Sequence, residues 1–199
     1  MCPLDRREPD GFDDPAALGA RISALSVYTG IVLHFIERRW QAPGEVLPRL
    51  IGVSMKLLLI QGANMEYLGR RQPELYGTTS AKELDAILRR RARELDVDLD
   101  ILYTNTEGEA VSAIYKADRA NIDGILFNPA GFLHAGHSLR DCLKSINAPA
   151  IEIHMTNIEK RGYGSVTSEA AVGMIAGFGV DSYLLALEAM VARLRKPKG

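Results

Sequence analysis

Cysteine is scarce in this chain: Cys2 and Cys142 are the only two among 199 residues. Two thiols so far apart make neither a disulfide framework nor a zinc site. They read as free thiols, which fits reduced, cytoplasmic surroundings. A dominant charge is lacking as well. Lys and Arg number 24 against 25 Asp and Glu, for a net charge of −1, and that balance argues against a general nucleic-acid or anionic-membrane binder. A membrane-length apolar run is missing. Ile22 to Ile36, with Ser23, Thr29 and His34 inside it, falls short of the roughly 20 residues needed to cross a bilayer. Acidic residues (Asp5, Glu8, Asp10, Asp13 and Asp14) precede it, where a secretory signal carries basic ones. The run therefore reads as part of a soluble helix. Internal repeats and low-complexity tracts are absent. What is present is ordinary for a globular protein, 47% hydrophobic and 25% charged, with length for one domain and some to spare.

Two parts stand out along the chain. Residues 1–54 begin polar and rich in Pro and Asp, continue through one candidate helix from about Pro15 to Trp40, and break at Ala42-Pro43-Gly44. They read either as a real appendage or as an upstream extension of a gene whose start is Met55. From Met55 onward the pattern is regular. Apolar runs at Lys56–Gln61, Val97–Thr104, Gly124–Asn128, Ala150–His154 and Val172–Phe178 predict strands. Helical spacing predicts helices at Ala81–Leu95, Glu107–Ala120, His134–Ser145 and Asp181–Leu194. Ser80 and Glu83 have capping-box spacing, and Asp181 is a candidate N-cap. Alternating strands and helices, with strands apolar throughout, predict a parallel sheet covered on both faces. The simplest topology is a three-layer, doubly wound α/β fold.

In such a fold, ligands sit beyond the carboxyl ends of the strands. Four clusters fall there: Asn64, Arg71 and Tyr76 after the first strand; Asn128-Pro129-Ala130-Gly131 with His134 after the third; Glu152 to Asn157 at the end of the fourth; and the short loop Lys160 to Ser165. The glycine-rich start at Gly62 has neither Walker nor dinucleotide spacing. A guanidinium within reach of a phenol helps to hold it as phenolate, which turns a poor base into a useful one. Strand alternation puts Glu152 and His154 on one face, and a carboxylate beside an imidazole favours the protonated ring that a general acid needs. Each residue also has a plainer reading. Tyr76 could pack on the sheet edge, Arg70 and Arg71 could be a solvated pair, and Asn64 and Asn128 could serve turns. His134 could simply start a helix, His154 could be satisfied at a strand end, and His137 reads as structural or exposed.

Taken together, the segments Gln61-Gly62-Ala63-Asn64-Met65-Glu66-Tyr67-Leu68-Gly69-Arg70-Arg71-Gln72-Pro73-Glu74-Leu75-Tyr76-Gly77, Asn128 to His134, Leu139-Arg140-Asp141, Glu152 to Asn157 and Gly173 to Gly179 resemble the type II 3-dehydroquinate dehydratases. The resemblance covers Met55 to about Leu194, and the first 54 residues have no counterpart in it. It implies a five-stranded flavodoxin-like sheet of order 2-1-3-4-5 and a dodecamer built from trimers. It implies trans-dehydration of 3-dehydroquinate to 3-dehydroshikimate without cofactor or metal, in aromatic biosynthesis or quinate breakdown.

Residue by residue, the resemblance makes Tyr76 the base, Arg71 the group that keeps it ionised, and Asn64 the holder of a water that stabilises the enolate. His154 is the acid, oriented by Glu152. Asn128 and His134 contact substrate hydroxyls, Met155 and Thr156 receive its carboxylate, and Asp141 reaches a neighbouring subunit's site. A free tyrosine has a pKa of about 10, so ionising it at pH 7 costs roughly 4 kcal/mol, much of which one close guanidinium recovers. Gly69 and Gly77 are candidate hinges for a closing lid. Gln61, Ala63 and Gln72 depart from the family pattern. The loop after Asn157 is about three residues short, so that Arg161 matches either of two family arginines or neither. That shortening keeps a related cyclic hydroxy-keto acid in view as substrate, and a non-catalytic binding protein on the same fold is the reading from another class.

Overall fold

Runs of Leu, Ile and Val in the second part of the chain form five strands: β1 (Met55–Ala63), β2 (Val97–Tyr103), β3 (Gly124–Ala130), β4 (Ala150–His154) and β5 (Gly173–Ala176). The computed structural model describes residues 54–196. The two readings of the N-terminal segment, and its candidate helix, lie outside the described residues. All strand pairs are parallel and the order is β2-β1-β3-β4-β5, the flavodoxin-like arrangement. The helices are a single turn α1 (Pro73–Tyr76), then α2 (Ala81–Glu94), α3 (Glu107–Arg119), α4 (His137–Ser145) and α5 (Asp181–Leu194).

Alternation along each strand divides the core into two layers. Leu57 and Leu59 of β1 and Leu126 of β3 pack with Leu84 and Leu88 of α2 and with Leu187 and Met190 of α5. Leu58, Ile60, Ile125 and Phe127 point the other way, against Ile114 of α3 and Leu139 and Leu143 of α4. Burying both faces at about 25 cal/mol per Å² of apolar surface is what holds the layers on the sheet. Cys142 belongs to the second layer as a free, buried thiol, and burial pushes its pKa up.

The capping box forms as expected. Ser80 Oγ accepts from the Glu83 N–H at 3.3 Å, and Glu83 Oε2 accepts from the Ser80 N–H at 2.8 Å. Two predicted helix starts differ from the structure. Val180 is the N-cap of α5 and Asp181 is its first helical residue. No side chain caps this helix; Ser182 Oγ instead accepts from the Phe178 N–H at 3.0 Å and ties down the preceding turn, where Gly177 and Gly179 have φ of 99° and 60°. His134 closes a 3-10 turn, Gly131–His134, and α4 begins only at His137. There the Gly136 N–H bonds the Phe132 carbonyl at 2.7 Å, and a Cβ on Gly136 would come within 2.7 Å of that same oxygen.

Candidate active site

β2 lies on one side of β1 while β3 and its successors lie on the other, so the chain reverses direction across the sheet between β1 and β3. A crevice opens at such a switch point, beyond the carboxyl ends of the strands. Here it is a cavity of about 170 Å³, smaller than the roughly 300–1,000 Å³ of pockets for drug-sized ligands. One small metabolite fits this space. From the segment after β1 come Asn64, Arg71 and Tyr76, with Met65 and Leu68 as apolar wall; Asn128 and His134 come from β3 and its turn. His154, Met155, Thr156, Arg161 and Tyr163 come from β4 and the loop after it.

The segment carrying Arg71 and Tyr76 is pinned by unusual backbone. Gly69 and Gly77 have φ of 84° and 80°, and Gln72, the N-cap of α1, is left-handed at 41°. A side chain on Gly69 would strike the Thr78 carbonyl at 2.9 Å. Left-handed backbone at a non-glycine residue costs of order 1–3 kcal/mol and concentrates at functional segments. Asn64 satisfies both of its readings: its φ is 71°, as a turn residue's would be, and it lines the cavity. Its N–H is held by Asn105 Oδ1 at 2.7 Å.

Around the phenol, the geometry differs from the simplest expectation. Arg71 lies over the Tyr76 ring, its Cζ 5.4 Å from the centroid. The group that touches the phenol oxygen is Arg161, whose Nη1 donates to Tyr76 Oη at 3.3 Å and to Thr156 Oγ1 at 3.0 Å. Arg161 also lies over the Tyr163 ring, 5.0 Å from its centroid. Tyr163 in turn meets His134 edge-on, with centroids 5.2 Å apart. Two guanidiniums thus flank one phenol. Sequence reasoning places Tyr163 in the Lys160 to Ser165 cluster without giving it a role; the signal that singles it out is the Gly-Tyr-Gly turn directly after Arg161.

Glu152 and His154 do share a face, and both are buried, at 0% and 4% exposure. His154 Nε2 and Glu152 Oε1 are 2.6 Å apart. The other carboxylate oxygen accepts from Thr167 Oγ1 at 2.8 Å. Both oxygens of this buried acid are therefore occupied, and the ring orientation is set. Thr167, from the 3-10 turn Thr167–Ala170, carries no sequence signal that marks it. Asp141 stands apart: it is exposed on α4, bonded to Arg140 Nη2 at 2.8 Å, and does not line the cavity. Among the described residues, no group of three or more His, Cys, Asp or Glu side chains is gathered to hold a metal ion. No helix among them is long and apolar enough to cross a membrane.

Fold and cavity together define a class: a flavodoxin-like α/β enzyme whose small cavity gathers a phenol, two guanidiniums and a carboxylate-held imidazole. The family model for dehydroquinase class II matches residues 55–191, and the chain belongs to that family. It is 44% identical over 143 residues to the 3-dehydroquinate dehydratase of Xanthomonas campestris pv. campestris strain 8004, covering 70% of this chain and 97% of that protein. It is 40% identical over 144 residues to the 3-dehydroquinate dehydratase of Halothermothrix orenii strain H 168, covering 71% and 97%. The solved type II dehydroquinase from Butyrivibrio crossotus DSM 2876 superposes with a TM-score of 0.68 at 29% identity, over 70% of this chain and 99% of that one. The type II dehydroquinase from Propionibacterium acnes gives 0.67 at 35% identity, over 70% and 98%.

Proposed function

We propose that this chain is a 3-dehydroquinate dehydratase, a hydro-lyase that removes water from 3-dehydroquinate by trans elimination to give 3-dehydroshikimate. The observation that carries this reading is that Tyr76, flanked by two guanidiniums, and His154, held by Glu152, line one small cavity in a class II dehydroquinase. Tyr76, as phenolate, takes the proton from the carbon alpha to the ketone. The electron pair of that C–H bond moves into an enolate, and Asn64 holds the water that donates to the enolate oxygen. Collapse of the enolate breaks the C–O bond, and the departing hydroxyl takes a proton from the His154 imidazolium and leaves as water. Nε2 of His154 is engaged by Glu152, which leaves Nδ1 as the donating nitrogen. Transfer of the proton gained by Tyr76 back to His154 resets the site.

Asn128 and His134 hold substrate hydroxyls, and Met155 and Thr156 receive its carboxylate. Arg161 and Arg71 share the stabilisation of the phenolate. Residues 55–199 form the catalytic domain, and residues 1–54 an extension to it. The assembly is a dodecamer built from trimers, in which Asp141, exposed and outside its own cavity, serves a neighbouring subunit. The cytoplasm suits the free thiol of Cys142. The same elimination serves aromatic biosynthesis and quinate breakdown, and growth on quinate after gene deletion distinguishes the two. The direct test is purified full-length protein supplied with 3-dehydroquinate and no added metal or reductant. Ultraviolet absorbance of the enone product should rise; no rise with fresh substrate removes the proposal.

A further inference from the structure

The row of residues that closes the α2/α5 side of the sheet under the cavity is polar where the rows below it are apolar. Gln61 of β1 lies in register with Tyr103 of β2 and with Asn128 of β3. Tyr183 of α5 covers this row, and Gln61, Asn128 and Tyr183 are 0%, 3% and 1% exposed. Buried polar groups are expensive unless their hydrogen bonds agree with one another, so the sense of each bond can be worked out. The Ala130 N–H can only donate, and it donates to Asn128 Oδ1 at 3.0 Å. That fixes the amide, and Asn128 Nδ2 must face Tyr183 Oη, 2.7 Å away. The Tyr183 oxygen therefore accepts, and its own proton goes to Gln61 Oε1 at 2.8 Å. Burial pushes the Tyr183 pKa above the usual tyrosine range, which favours the protonated hydroxyl that this bond requires.

Turning the Gln61 amide over would aim a donor at Tyr183 and force its proton toward Asn128 Nδ2. The chain of bonds therefore runs in one direction only. Its cost is visible: Gln61 Nε2 is buried and makes no close hydrogen bond among the described residues, with the Tyr103 hydroxyl its neighbouring acceptor. At the cavity end, the second Nδ2 proton of Asn128 has only Met65 Sδ, at 3.7 Å. Sulfur is a weak acceptor, and both residues line the cavity, so this is the proton that a ligand oxygen can take.

We propose that Tyr183 and Gln61 are positioning residues that lock the Asn128 amide in the orientation presenting one N–H donor to a substrate hydroxyl. Neither touches the ligand; they act through Asn128. The inference rests on the dehydratase reading for its substrate, but the orientation of the amide is independent of it. In steady-state assays of the full-length chain, Tyr183→Phe should lower kcat/KM about tenfold, the scale of one net hydrogen bond. In an Asn128→Ala background the same substitution should change kcat/KM less than about twofold, because the two residues act through one hydrogen bond. Equal losses of kcat/KM in the two backgrounds, or a Tyr183→Phe enzyme with lowered Tm and intact kcat/KM, would overturn the proposal. If Tyr183→Phe does not fold, Gln61→Met, which removes the acceptor for the Tyr183 proton, is put through the same cycle, and the same pair of results supports or overturns it. A second readout stands apart from turnover. The side-chain amide protons of Asn128, followed by NMR, should shift and exchange faster in the variant; unchanged signals would also overturn it. Should the wild-type chain fail to dehydrate 3-dehydroquinate, the dehydratase reading falls, and the NMR comparison still decides the positioning role.

Discussion

At the residue scale, the guanidiniums around Tyr76 divide their work. Both lie over the ring, but Arg161 also reaches the phenol oxygen and Thr156 with one nitrogen. A lysine keeps the charge but loses the planar fork. We expect Arg161→Lys to lower kcat by about 10- to 100-fold, the scale of a charge-assisted hydrogen bond, and Arg71→Lys to cost less; kcat at saturating 3-dehydroquinate for the pair checks the order. Tyr76→Phe should lower kcat by about 10² to 10⁴, the usual contribution of a general base, with an unaltered circular dichroism spectrum. A Phe variant that turns over at the wild-type rate would end the mechanism. The sequence points to Arg71 because it lies five positions from Tyr76. Arg161 lies 85 positions away, and its approach depends on how the turn Glu159–Arg161 leaves β4. Sequence spacing carries no such information.

At the scale of elements, the sheet is legible because a parallel strand buried on both sides must be apolar along most of its length, and β1, β3 and β4 are buried almost throughout. The ends of helices are legible only where the cap is local. Ser80 and Glu83 are three residues apart and pair as expected, but α5 starts without a side-chain cap after a turn held by Ser182, and α4 waits for a turn shaped by the close approach of Gly136 to Phe132. The capping box also makes a pH prediction. Hydrogen bonds from Ser80 hold the Glu83 carboxylate below its ordinary pKa of 4.5. A carboxylate whose pKa is lowered on folding adds stability that is complete above the unfolded value and lost as pH falls through the folded one. Urea unfolding should therefore show wild type more stable than Glu83→Gln at pH 7, with the gap closing below about pH 4.5. The β1–β3 contact gives a sharper test. A Cβ on Gly62 would lie 2.2 Å from the Pro129 carbonyl oxygen, so Gly62→Ala must move backbone beside Asn128. It should cost about 1–3 kcal/mol or more in urea unfolding and reduce activity with it.

At the scale of the whole molecule, β5 ends the sheet with one edge unpaired among the described residues, and Val172, Met174 and Phe178 beside it are 47%, 40% and 62% exposed. Edges with apolar neighbours are usually covered in the working protein, which suits the proposed homo-oligomer. Sedimentation of the full-length chain should give a twelve-chain particle, and Phe178→Asp should shift it toward smaller species. Among the described residues, those lining the cavity fall between Asn64 and Tyr163. The chain shortened to Met55–Gly199 should therefore retain the kcat of the full chain in a side-by-side assay.

The sheet separates two tasks by its own thickness. Glu152 lies in register with Phe127 and so, with His154, faces the layer built on α3 and α4, while Asn128 and Gln61 face the layer built on α2 and α5. The proposed proton donor His154 and the proposed hydroxyl-holding Asn128 are thus rooted in different halves of the core and meet only at the rim. Substitutions that repack the half beneath Asn128 would then alter the proposed hold on a ligand oxygen and leave the proposed delivery of the proton as it was.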